Sequence, residues 1–152
     1  MLGARRHNDG EVIVGKLAEL VPLGSAFTKR WTVTRAAVDA YGELTGDDDP
    51  IHFDETFAAK TAYGRTIAHG ALLVGYMSSV STLATIKTGI AFVSLGYDRL
   101  RFVGPAFIGD DVEARLEVVG HEEERGRILA DVTVTSGGRT LAVARNIIKL
   151  SP

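Results

Sequence analysis

The sequence predicts an α+β fold in which an antiparallel sheet curls across one buried helix. Three observations carry this. Residues 69–84 (HGALLVGYMSSVSTLA) are apolar or small on every side, the pattern of a helix surrounded by protein rather than lying on a surface. Residues 91–97, 99–107, 112–118, 128–134 and 141–148 all fit strands. Helical patterns come first and strands later, which favours an antiparallel sheet over a parallel α/β arrangement. At about 1.5 Å per residue the helix is roughly 20 Å long, comparable to a strand of five or six residues, so a sheet can cover it.

The chain has 152 residues and 16.3 kDa, room for one domain over residues 1–152, with residues 1–23 an uncertain lead-in. A fold of about 150 residues buries roughly 68–70% of its extended surface, so a core forms without staples. Arg5-Arg6 are followed by His7-Asn8-Asp9-Gly10-Glu11 where a signal would need an apolar run, so no targeting segment is expected. Residues 26–33 alternate, with Phe27, Trp31 and Val33 on one side and Thr28, Arg30 and Thr32 on the other, as in a half-buried strand. Thr34 then caps a helix over residues 35–44, whose Ala37, Tyr41 and Leu44 share a face and which Gly46 ends. Residues 46–52 form a loop, because Pro50 pushes Asp49 out of the helical region and three adjacent acids repel. Asp54 caps a short helix carrying Phe57 and Ala58. In the later half, Val112, Ala114, Leu116 and Val118 point inward, residues 122–124 make an exposed acidic loop, and Gly137-Gly138 turn a hairpin.

Composition removes several function classes. Cys 0 excludes disulfides, thiolate zinc sites and cysteine nucleophiles, leaving a cytoplasmic location as the default. Lys+Arg 17 against Asp+Glu 19 gives a net charge of −2, with no global positive field to hold nucleic acid. The longest stretch without a formal charge, residues 66–86, carries Thr66, His69 and five further Ser or Thr, so it reads as a core helix and not a membrane span. No Gly-x-Gly-x-x-Gly or phosphate-cradling loop is present.

The unusual neighbourhood is residues 47–70, where His52 and His69 stand beside the densest carboxylates. Asp47 and His52, five residues apart beside Pro50, could grip one water, the carboxylate removing its proton while the imidazole passes one on. Equally, Asp47 and Asp49 could satisfy backbone donors after a helix, with His52 making one hydrogen bond. Contiguous acids ending in proline do not give the alternating ligands of a calcium loop. Zinc on His52 and His69 would need a third nearby partner, so no metal is expected. Gly70 sits where the buried helix begins, its amide an unpaired donor at the positive end of the helix dipole, open to a ligand oxygen because no Cβ stands in the way.

The stretch Leu44-Thr45-Gly46-Asp47-Asp48-Asp49-Pro50-Ile51-His52-Phe53-Asp54, followed by Thr66-Ile67-Ala68-His69-Gly70, resembles the MaoC-like dehydratases, the group containing R-specific enoyl-CoA hydratases. Arg101-Phe102-Val103-Gly104-Pro105 with Gly109-Asp110 is similar to that family's strand signature. The resemblance implies a hot-dog fold, an antiparallel sheet wrapped around a central helix, as a homodimer or higher homo-oligomer with the acyl chain near the subunit interface. It implies reversible hydration of a trans-2-enoyl-CoA to an (R)-3-hydroxyacyl-CoA, the thioester being substrate and no cofactor being needed. By the same resemblance Asp47 and His52 are the catalytic pair, the Gly70 amide polarises the thioester carbonyl, and Ser78 supports the site, with Asp49, Ile67 and His69 beside the substrate.

The family motif commonly has asparagine where this chain has Asp49. A carboxylate only accepts hydrogen bonds. Pointing at Asp47, it would raise the pKa of one of the two; pointing away, it would change little. Arg65 and Arg101 are the basic residues nearest the motifs and are candidates for the CoA phosphates. Tyr76 and Met77 are bulky enough to block an acyl tunnel, or are simply core. Two other functions stay open on this fold: acyl-CoA thioester hydrolysis, and non-catalytic binding of acyl-CoA or an acyl carrier.

Overall fold

In the computed structural model, which describes residues 17–151, five strands pair in one antiparallel sheet. They are β1 (Ala26–Thr32), β2 (Phe92–Phe102), β3 (Asp111–Glu122), β4 (Arg127–Ser136) and β5 (Arg139–Leu150), in the spatial order β1-β3-β4-β5-β2. The Arg5-Arg6 pair and His7 lie outside the described residues. Helix α5 (Gly70–Thr88) lies across the sheet and touches β1, β2, β3 and β4. Its Leu73, Met77, Val80 and Ala84 are buried against Val112, Ala114, Leu116 and Val118 of β3 and Ile128, Ala130, Val132 and Val134 of β4. The alternation expected of β3 is therefore the core itself, and Gly137-Gly138, both at positive φ, turn β4 into β5. Among the described residues no helix is long and apolar enough to cross a membrane.

Four expectations need correction. Residues 91–97 and 99–107 are not two strands: β2 runs through both and ends at Phe102. Bulges between Ser94 and Gly96 and between Asp98 and Arg101 absorb the irregular register, with Arg99 at φ 53. After β2 the chain turns in, and Phe107 bridges to Ile67. Second, α5 is not enclosed on every side. Ala71, Gly75, Ser78, Thr82 and Ile86 form an exposed stripe, because one five-stranded sheet can cover only the opposite face.

Third, the helix α2 (Arg35–Thr45) buries Val38 and Gly42, whereas Leu44 is 85% exposed. Gly42 packs so closely that a Cβ there would meet the tip of the Phe53 ring at 2.5 Å and the Asp47 carbonyl at 3.1 Å. Fourth, the acidic run is not a free loop. Residues Glu123–Arg125 make a 3₁₀ turn, and the Glu123 carboxylate accepts the N–H groups of Leu17 and Ala18, at 3.3 and 3.2 Å. It thereby caps α1 (Leu17–Leu20), a helix the sequence pattern does not announce.

Candidate active site

The chain that carries the candidate residues is fixed by caps. Thr34 accepts the Ala37 N–H at 3.1 Å to start α2, and Gly46, at φ 75, ends it. The Asp49 carboxylate then accepts the Ile51 N–H at 3.0 Å and opens a one-turn helix, α3 (Pro50–Phe53), with proline in the first helical position where its missing N–H costs nothing. So the segment expected as a loop is partly helical, and the Asp49 carboxylate is its cap. Asp54 repeats the device, accepting from Thr56 and Phe57 at 2.8 and 3.0 Å to begin α4 (Glu55–Ala58).

His52 is held at both ends. Its Nδ1 stands 2.8 Å from the Ile67 carbonyl, and since a carbonyl only accepts, Nδ1 carries the proton and Nε2 is the ring atom left for other partners. The Ile67 N–H donates in turn to the Ile51 carbonyl at 3.2 Å. On the main-chain side, Arg35 Nη1 donates to the His52 carbonyl at 2.8 Å, while Nη2 donates to the buried Thr66 hydroxyl at 3.0 Å. That hydroxyl donates to Glu55 at 2.6 Å, and the Thr66 N–H reaches the same carboxylate at 3.2 Å. These two hydrogen bonds, side chain first, hold the Glu55 pKa below its ordinary 4.5, with the charges of Arg35 and Arg65 adding to them. The contacts of Arg35, Thr66 and Glu55 that hold the His52 segment are ones the sequence does not reveal. Partners 17 and 31 residues apart leave no spacing to find.

Asp47, His52 and His69 converge, each offering an atom within 4.8 Å of the others. Two groups bridged by one water stand no more than about 5.6 Å apart, so Asp47 and His52 are within that reach. The Asp47 side chain is 51% exposed and open to solvent. Asp47 is thus the third partner whose absence counted against a metal. Two ring nitrogens of this group, however, are engaged as N–H donors to carbonyls: His52 Nδ1, and His69 Nε2 at 3.0 Å from the Asp47 carbonyl.

His52 opens onto a cavity of about 350 Å³ that it shares with Ile67, Gly70, Leu73, Phe102 and Val103. Gly70 begins α5, and the preceding His69 makes no side-chain cap bond, so no side chain of that residue competes for the first N–H groups. A Cβ on Gly70 would meet the Phe102 ring at 3.0 Å, so glycine is what allows the ring to close over the helix end. A larger groove of about 460 Å³, lined by Asp98, Arg99, Asp131 and Arg145, contains none of the candidate residues.

The remaining candidates divide. Ile67 lines the cavity and orients His52, but His69, 2% exposed, has no surface to give a substrate, which corrects that expectation. Ser78 lies on the exposed stripe of α5, two turns beyond Gly70 and outside the cavity. It neighbours Tyr97, whose hydroxyl burial pushes up in pKa while Ser94 and Ser78 beside it work the other way. Arg65 lies 4.0 Å over the Phe107 ring, and exposed Arg101 donates to the Leu100 carbonyl at 2.7 Å; neither lines the cavity. Met77 is fully buried, and Tyr76 stacks on Trp31 at 4.6 Å, so both belong to the core.

Residues 24–140 match the family model described as a MaoC like domain, and the chain belongs to the MaoC-like dehydratase family. Its sheet and central helix make it a hot-dog fold. The 3-hydroxybutyryl-CoA dehydratase of Methylorubrum extorquens is 33% identical over 118 residues, covering 78% of this chain and 73% of that protein. The (R)-specific enoyl-CoA hydratase of Aeromonas caviae is 36% identical over 118 residues, covering 76% of this chain and 84% of that protein. The solved (R)-hydratase from A. caviae, involved in PHA biosynthesis, has a TM-score of 0.77 at 30% identity over 85% of this chain and 96% of that one. The class is hydratase or dehydratase.

Proposed function

We propose that this enzyme reversibly hydrates a trans-2-enoyl-CoA to an (R)-3-hydroxyacyl-CoA. The observation that supports it best is the approach of Asp47 and His52 to within one water's span, with His52 and Gly70 on the same cavity. In this reading the Asp47 carboxylate takes a proton from the water as its oxygen adds to C3. That proton passes from Asp47 to His52 Nε2, the ring nitrogen left bare while Nδ1–H is held by Ile67, and is delivered from there to C2, so both side chains end as they began. The negative charge that develops on the thioester oxygen meets the Gly70 amide at the positive end of α5. Every proton stays between water, these two side chains and the substrate, so the reading requires no metal or redox cofactor.

The reading includes a second copy of the chain. The exposed stripe of α5 and the edge strand β2, with Val93 and Leu95 exposed, present apolar surface that a homodimer would cover. The enzymatic test is loss of the conjugated enoyl thioester with crotonyl-CoA and longer chains, with chelator added and free thiol followed in parallel. Hydration that survives chelator, without thiol release, is expected. Thiol release would point to hydrolysis instead, and unchanged rates in Asp47→Ala and His52→Ala would reject the pair.

A further inference from the structure

We propose that His69 is a positioning residue that sets the spacing between Asp47 and His52, an inference that rests on the hydration reading above. His69 touches both members of the pair. Its Nε2 lies 3.0 Å from the Asp47 carbonyl, and since that oxygen only accepts, Nε2 carries the proton and donates. Its ring lies on the His52 ring, with centroids 3.8 Å apart and planes 33° from parallel. Tyr41 and Phe53 flank it at 4.7 and 5.6 Å, so the ring has no room to turn. One side chain therefore fixes the backbone of the acid and the plane of the imidazole together.

Neither of the ordinary reasons for a histidine explains this one. It is too buried to meet substrate, and although it is the residue before α5 its side chain caps nothing. Packing alone would favour a hydrocarbon ring, because the histidine leaves Nδ1 buried without a hydrogen-bond partner, which is a cost. What a hydrocarbon ring lacks is the N–H that reaches Asp47. Held by that bond, the Asp47 carboxylate comes no nearer than 4.0 Å to Nε2 and stays open to solvent, free for water. The two histidines are consequently fixed in opposite tautomers, Nδ1–H on His52 and Nε2–H on His69, each by a backbone carbonyl.

Two variants separate the two contacts. His69→Phe keeps a flat ring against His52 and loses the donor; His69→Gln restores an N–H near Nε2 and loses the ring. A displacement of about 1 Å in a reacting group costs about 10²-fold in rate, so His69→Phe is expected to lower kcat about 10- to 100-fold. KM should be unchanged within about twofold and the protein should remain folded, with His69→Gln recovering part of the rate. Unchanged kcat in His69→Phe overturns the proposal, as does a rise in KM alone, which would mean substrate contact. A loss of kcat that only tracks loss of folded protein overturns it as well. Nitrogen-15 spectra of the imidazoles, recorded without substrate, test it independently of activity. The expected result is the two opposite tautomers in the wild type and a broadened His52 signal in His69→Phe; any other tautomer pair overturns the proposal. If the wild type shows those tautomers and yet hydrates no enoyl-CoA, the hydration reading has failed and the clamp has not.

Discussion

Arg35 holds the main chain of His52, its Nη1 donating to the His52 carbonyl at 2.8 Å, while its other arm reaches Thr66. The planar fork of arginine suits this pair of acceptors, and a lysine offers no such fork. Arg35→Met is therefore expected to leave two acceptors unpaired and destabilise the fold by about 1–3 kcal/mol. As His52 loosens, kcat should fall about 10- to 100-fold. Arg35→Lys should recover less than half of the stability. Thermal unfolding and hydration rates, measured together, check it.

Removing either member of the proposed pair is expected to lower kcat by about 10²–10⁴-fold, the range of general acid–base catalysis. Asp47→Asn and His52→Gln are the conservative forms. Asp47 is half exposed, so Asp47→Asn should leave the unfolding midpoint in place, whereas His52→Gln loses the ring's Nδ1–H bond to Ile67 and its contact with His69 and should cost about 1 kcal/mol. A double variant no slower than the worse single one would show that the two act on the same water.

Asp49 caps α3 through one oxygen, and asparagine caps as well as aspartate. Asp49→Asn is expected to keep stability and to change the hydration rate less than about threefold, while Asp49→Ala should cost about 1 kcal/mol. A fall of Asp49→Asn to the level of Asp47→Ala would show that the carboxylate itself takes part.

Glu55 carries a pH dependence of known sign. Its folded pKa lies below the ordinary 4.5, so the stability it contributes is present above pH 4.5 and is lost as the pH falls through the lower folded value. Urea unfolding from pH 6 to pH 3 should therefore show a shallower acid limb for Glu55→Gln than for the wild type. Identical slopes would mean that Thr66 does not hold the charged carboxylate.

Gly70→Ala places a Cβ 3.0 Å from the Phe102 ring, a contact that the half-exposed ring can relieve only by moving into the cavity. The expected outcome is a raised KM and a lower kcat with little change in stability. Pairing it with Phe102→Leu should return much of the KM.

What was legible in the sequence is what local chemistry decides. Thr34 and Gly46 delimit α2 within a residue because caps are set by their own neighbours, and the inward set of β3 follows from alternation. Asp47 and His52 could be paired because they stand five positions apart with Pro50 between them. The fusion of two segments into β2 was not legible, since its bulges are dictated by the register against β5. Nor was the burial of His69 or the bond from Arg35 to His52, since both depend on where distant segments come to lie. Leu44 misled because its spacing fits a face that Gly42 and Val38, one step around the helix, in fact occupy.

The absence of a side chain at Gly42 has a consequence for how this chain can change over evolutionary time. The Phe53 ring tip and the Asp47 carbonyl both occupy the space a methyl group would claim. An alanine at 42 is thus admissible only where the residue at 53 shrinks or its ring moves aside and the Asp47 carbonyl gives by a few tenths of an ångström, so the two positions drift as a couple. Homologues diverging at one should diverge at the other, and a library varying 42 alone should recover glycine.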